Sequence, residues 1–177
     1  MSLTIPQIRN TSSDEALLEL LLGELKRLFP PSLRSDPVVF LSRLQNAPAG
    51  LRTMAATYDL DVSMAMDDLA WHFINHHESL DLAEETLGGL RELEAPEAAE
   101  IFQQALAVIK PHWQELQTDR QSQAAHDWLD STVIQKSMNP LNARMWELLK
   151  QWPKEGLMHH WIVYARKYPE RCISRAE

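Results

Sequence analysis

Apolar residues along this chain recur three and four residues apart, the spacing of a helix face, and no segment sustains the alternation of a strand. Ser12 and Glu15 have the spacing of a capping box, and Leu17, Leu18, Leu20, Leu21, Leu22, Leu25 and Leu28 follow them. Leucines fall almost all round that helix, so it is expected to be buried or covered by a partner. Pro30-Pro31 ends it, Pro37 opens a short helix through Val38, Phe40, Leu41 and Leu44, and Pro48 opens another reaching Tyr58. Residues 64–77 place Met66, Leu69, Ala70 and Phe73 together, with Asp68, His72, Asn75 and His76 on the opposite face. Residues 79–93 divide more sharply, Ala83, Thr86, Leu87, Leu90 and Leu93 against Asp81, Glu84, Glu85 and Glu92. Pro96 starts a helix that Pro111 stops or kinks. Downstream, the pattern predicts helices near residues 122–137, from Leu141 to Trp152, and from Met158 to Ala165. The fold class is therefore all-α: a single compact domain of about eight or nine short helices, without a sheet. It occupies residues 12–170, with a flexible arm at residues 1–11 and a mobile tail at residues 171–177.

Composition narrows this picture. A chain of 177 residues buries roughly 70% of its unfolded surface, enough for a core without staples. One cysteine, Cys172, excludes an internal disulfide and fits a reducing compartment. No signal segment opens the chain and no apolar run approaches about 18 residues, so a cytoplasmic protein that does not bind membrane is expected.

Charge changes the picture most. From Asp59 to Glu100 there are 12 acidic residues and one base, Arg91, so this stretch carries −11 within a chain of net −8. The 45 residues from Val133 to Glu177 have the opposite bias, 8 basic against 4 acidic. A field concentrated in this way repels nucleic acid and anionic membrane and attracts basic proteins or cations.

The segment Trp71-His72-Phe73-Ile74-Asn75, then Glu84-Glu85-Thr86-Leu87-Gly88-Gly89-Leu90, then Glu94-Ala95-Pro96-Glu97-Ala98-Ala99 resembles the core of a bacterial family of unknown-function domains that includes a DNA-mimic protein. The resemblance spans about Ala65–Trp113; where the family's first helix carries a Gly pair, this chain has Leu69-Ala70. It implies an all-helical fold and, from the mimic member, an acidic surface that occupies the DNA-binding face of a transcription factor.

The candidate chemistry follows from these two observations. At ~1.5 Å rise per residue, Asp81 to Glu85 spans about 6 Å and Glu85 to Glu92 about 10.5 Å. Duplex DNA carries one charge per roughly 1.7 Å of axis, so a mimic needs several such rows. Asp67, Asp68, Asp81, Glu84, Glu85 and Glu92 are the residues expected to meet a basic partner, such as a DNA-binding transcription regulator, by steering and by charge-assisted contacts to Arg and Lys. The bland alternative is a solvated face that keeps the protein soluble. A sharper rival is that the basic C-terminal end pairs with the acidic middle, within one chain or across a dimer.

Asp68, His72 and His76 stand at i, i+4 and i+8, a spacing that can chelate zinc, with His159 or His160 arriving from the C-terminal region. The Glu that HExxH proteases place beside the first His is missing, so a metal-dependent hydrolase is the alternative reading rather than the main one. Nothing else points to catalysis, and neither enzymatic activity nor a cofactor is expected. Cys172 lies near the chain end beside Arg171, which would lower its pKa. Gly88-Gly89 sits inside a helical pattern, where close helix–helix approach explains both. A third reading is a structural module dimerised through the leucine helix.

Overall fold

A computed structural model describes residues 2–33, 36–76, 79–118, 127, 132–153 and 156–174, with side chains at all of these except 61, 62, 65, 75, 76, 116–118 and 132. Among the described residues every regular element is helical. The order is α1 (Ile5–Asn10), α2 (Asp14–Leu28), α3 (Pro37–Gln45), α4 (Ala49–Met66), α5 (Leu69–His76), α6 (Leu80–Glu92), α7 (Pro96–Ile109), α8 (Trp113–Thr118), α9 (Thr132–Gln151) and α10 (Leu157–Lys167). Short 3-10 turns at Pro31–Leu33, Lys110–His112 and Pro169–Arg171 link or end them.

Helix α4 is the hub, touching α2, α3, α5, α6 and α10, while α6 leads on to α7 and α7 to α9. Aromatic rings fill the α5–α7 contact, Phe73 lying 5.0 Å from Phe102 and 6.4 Å from Trp113. Trp161 of α10 is wholly buried, and its Nε1–H donates to Thr57 Oγ1 at 3.1 Å. The Thr57 hydroxyl in turn donates to the Thr53 carbonyl at 2.9 Å, so the indole and this hydroxyl are both matched inside the core.

Several boundaries differ from the sequence expectation for definable reasons. The N-terminal arm is a helix: Thr4 and Gln7 close a capping box, and Leu3 and Ile8 are buried. Helix α2 is capped by Ser13, not Ser12, and its leucines find their cover within the chain, Leu17, Leu21 and Leu25 being buried and Leu18, Leu20, Leu22 and Leu28 partly so. Helix α4 continues past Tyr58 to Met66, and the break falls at Asp67-Asp68. That break resets the helical phase, which exposes Met66 and turns His72 into the core. His72 Nδ1 lies 2.8 Å from Ser63 Oγ, whose own hydroxyl donates to the Asp59 carbonyl, so the imidazole nitrogen is the donor. Helix α9 runs through Pro140 where two helices were expected, at the loss of one ladder bond. The expected helix near residues 122–137 lies outside the described residues before 132, apart from residue 127. The expected tail is partly ordered structure: Cys172 is fully buried, and burial, with the Glu170 charge, pushes its thiol up to about 12. A thiol so raised is not a nucleophile at neutral pH.

The chain's two ends meet at Glu24, only 3% exposed. Its carboxylate accepts from Arg27 at 2.7 and 3.0 Å, from the Leu3 N–H at 3.2 Å and from the Ser174 hydroxyl at 3.2 Å. Burial alone would raise this carboxyl, but the Arg27 and Leu3 hydrogen bonds outweigh it and hold the group below its ordinary value.

Two predictions follow from this packing. A Cβ on Gly89 would lie 2.9 Å from Thr57 Cγ2 and 3.2 Å from the Thr53 carbonyl oxygen, whereas nothing lies within 4 Å of one on Gly88. In urea unfolding, Gly89→Ala should lose about 1–3 kcal/mol and Gly88→Ala should gain up to about 1 kcal/mol. Equal effects would show that α6 does not lie this close to α4. Glu24 has a depressed folded pKa, so its stabilisation is complete above the unfolded value and lost as pH falls through the folded one. Glu24→Gln should therefore be less stable than the parent by about 1–3 kcal/mol at neutral pH, the gap closing in acid. A gap independent of pH would contradict this.

Candidate functional site

Ser79 caps α6, its Oγ accepting from the Leu82 N–H, and Asp81 in the first turn complements the helix dipole. The stripe from Ala83 to Leu93 is buried, as the pattern predicts, so Asp81, Glu84, Glu85 and Glu92 are driven to the outer side. There the structure divides them. Glu85 is half-buried and bidentate with Arg52 of α4, at 2.5 and 2.7 Å. Glu84 reaches Lys110 at 3.1 Å with both groups about half exposed, a pair contributing about 0–1 kcal/mol. Glu92 accepts from the Tyr164 hydroxyl at 2.5 Å and from Arg171. Burial and the Glu92 carboxylate both push the Tyr164 phenol above its ordinary value, so it stays a neutral donor.

The α6–α7 turn brings in a further carboxylate. The Ala95 N–H bonds the Leu90 carbonyl and the Glu94 N–H bonds that of Arg91, the pattern of a Schellman cap. The left-handed position usually given to glycine is held by Glu94, at φ 57°. Its carboxylate takes Lys167 Nζ at 2.6 Å and the Tyr168 hydroxyl at 3.3 Å, and the Lys167 bond holds it below its ordinary range. On α7, Glu100 meets Arg144 of α9 at 3.2 Å. The basic C-terminal region thus pairs with the acidic middle within one chain at Glu92, Glu94 and Glu100.

Asp67 and Asp81 are exposed, and among the described residues no ion pair reaches Asp67, Asp68, Asp81 or Glu97. Asp67 ends α4, where the helix dipole disfavours its charge, and Asp68 Oδ1 caps α5 through the Trp71 N–H at 3.0 Å. Helix α9 fixes this junction from behind. Asn142 Oδ1 accepts from the Leu69 N–H at 3.1 Å, and Trp146 Nε1–H donates to the Met64 carbonyl at 3.0 Å. Glu97, Glu100 and Glu147 rim an open groove of about 520 Å³ between α7 and α9, with Ile101 and Leu148 on its apolar wall.

The residues proposed for a metal are not brought together by what is described. Asp68 serves as a helix cap, His72 is inside the core, and the side chain of His76 lies outside the described residues. His160 packs against Trp152 at 4.8 Å, and burial, with His159 beside it, lowers its pKa. Among the described residues no three His, Cys, Asp or Glu side chains converge. No described helix is long and apolar enough to cross a membrane.

Residues the sequence reading missed are the cations and tyrosines that organise this face. Tyr164, Lys167, Tyr168 and Arg171 stand at i, i+3, i+4 and i+7 in sequence, and that spacing was the available signal, although α10 ends at Lys167 and Arg171 lies in the 3-10 turn beyond it.

The family model of DMP19-like proteins matches residues 45–166, from the end of α3 into the last turn of α10. No curated protein and no solved structure matches the chain. The matched span covers most of the chain, and the chain belongs to the DMP19-like family.

A non-glycine residue at the left-handed cap position costs roughly 1 kcal/mol, and the solvent-screened Lys167 pair offsets little of it. Glu94→Gly should accordingly leave stability unchanged or raise it by up to about 1 kcal/mol in urea unfolding. A loss beyond about 1 kcal/mol would mean that the carboxylate supports the fold more than the pair geometry accounts for.

Proposed function

We propose that this DMP19-like protein is a non-enzymatic binding module that offers its acidic helical surface to a basic protein, a DNA-binding regulator, where DNA would otherwise sit. What supports the reading is the division of charge. Glu84, Glu85, Glu92, Glu94 and Glu100 are matched by cations of the same chain. Asp67, Asp68, Asp81 and Glu97, from four successive parts of the fold, have no such cation among the described residues. An inert solubilising face does not need carboxylates on a clamped helix junction, nor one set against the dipole at the end of α4.

The energetics are those of steering and exchange. Carboxylates in water interact weakly one by one, but a field of one sign raises association rates and is screened by salt. A basic DNA-binding face meets such a field as it meets phosphates, and the complex should weaken steeply with salt. The partner's Arg and Lys supply the counter-charges; the protein itself does not bind nucleic acid.

The test uses charge reversal where no ion pair within the fold is broken. Asp67→Lys, Asp81→Lys and Glu97→Lys are combined, and parent and variant are used to capture proteins from a bacterial lysate at low salt, eluted by raising salt. The parent should recover a basic DNA-binding protein that the variant loses, with the variant's melting temperature within a few degrees of the parent's. Equal recovery by both would remove these residues from the docking surface.

A further inference from the structure

We propose that the groove between the start of α1, the end of α2 and residues 173–174 binds a small amphiphilic anion, a carboxylate on an apolar chain, with Arg27 and Arg43 at its head. This site is separate from the docking surface. Every residue lining the groove lies outside the matched span of residues 45–166.

The cavity measures about 730 Å³, inside the roughly 300–1,000 Å³ range of small-molecule sites. Its walls are Leu3, Ile5, Leu28 and Ile173. Leu3 is buried and the other three are half-buried, so apolar surface stays uncovered along the groove.

Two guanidinium groups meet these walls, Arg27 from α2 and Arg43 from α3. Arg27 is set by the buried Glu24, whose carboxylate takes Nε at 3.0 Å and Nη2 at 2.7 Å, and Nη2 also donates to Ser174 Oγ at 3.3 Å. Those bonds leave both Nη1 hydrogens for a ligand, on a guanidinium whose orientation is already fixed. The same carboxylate accepts from the Leu3 N–H at 3.2 Å, so the cationic head and one apolar wall share an anchor. Arg43 is exposed, and among the described residues no hydrogen bond or ion pair reaches it. Two arginines against the one carboxylate that binds them make this groove locally positive within a chain of net −8.

An ionised carboxylate gains charge-assisted hydrogen bonds from the guanidinium groups, and an alkyl chain covers the walls. An alkyl cation or a neutral alcohol does only the second, and a bare anion only the first.

The test follows backbone amide shifts of the isotope-labelled full chain at neutral pH as octanoate, octylammonium, octanol or acetate is added over the same millimolar range. Octanoate should move the amides of Leu3, Ile5, Leu28, Arg43 and Ile173, and bind there about fivefold or more tightly than the other three. The overall field works against this order, because a net charge of −8 favours the alkyl cation. Arg43→Gln, at an exposed side chain, should weaken octanoate about fivefold or more and leave the rest of the spectrum in place. Lys26→Gln, which removes an exposed charge outside the groove, should leave octanoate binding unchanged. Octylammonium or octanol bound in the groove as tightly as octanoate would overturn the proposal. So would an Arg43→Gln chain that binds octanoate like the parent, or one that loses no more than Lys26→Gln does. Acetate binding equally well would show an anion site with no use for the apolar walls and overturn the assigned ligand. Octanoate that moves none of these amides up to its solubility would overturn the site itself, and none of these results touches the docking reading.

Discussion

The contact on which the rest depends is the close approach of α6 to α4 at Gly89. With no side chain there, Thr57 Cγ2 and the Thr53 carbonyl come within the space a Cβ would occupy. That contact sets the roll of α6, which decides which of its residues enter the core and which carboxylates face out. It also aligns Glu85 of α6 with Arg52 of α4, and the α6–α7 turn lies beside α10. The acidic edge at Glu92 and Glu94 is a consequence of helix packing before it is an electrostatic feature.

Charge then divides along the fold. The carboxylates nearest the C-terminal elements are balanced by Arg144, Lys167 and Arg171, and Glu85 by Arg52. Exposed pairs of this kind add little stability. Their larger effect is on the field, because a pair of opposite charges a few ångströms apart is weak at a distance where a lone carboxylate is not. Among the described residues the carboxylates without an ion pair therefore lie away from the centre of α6, toward the α4–α5 junction and the start of α7. Sequence position alone places the charge on one stretch; the fold redistributes it.

What could be read from the residues was the helical class and the buried stripe of α6, because amphipathic period depends only on local order. The Pro37 and Pro96 helix starts were legible for the same reason. Less legible was anything decided across the fold. The phase of α5 could not be read, since the break at Asp67-Asp68 is held by Asn142 and Trp146 from far along the chain. His72 thus read as a surface ligand when it is a core residue bonded to Ser63. The apolar runs near residues 122–137 and 141–152 read as two helices because the pattern carried no sign of the packing on α7 that holds α9 continuous through Pro140. The Gly88-Gly89 pair read as one motif, but only Gly89 meets another helix. Of the candidate docking residues, the outward side of α6 was visible, whereas the internal cations that claim Glu85 and Glu92 were not.

The central claim is that a regulator's DNA-binding face closes on this acidic surface. Its most direct test takes the basic protein recovered at low salt, bound to labelled duplex DNA, and adds the acidic chain while anisotropy and mass are followed together. The account predicts competitive release: DNA leaves as the acidic chain binds, and both complexes weaken as salt rises. A stable ternary complex, with DNA retained while the acidic chain is bound, would contradict it.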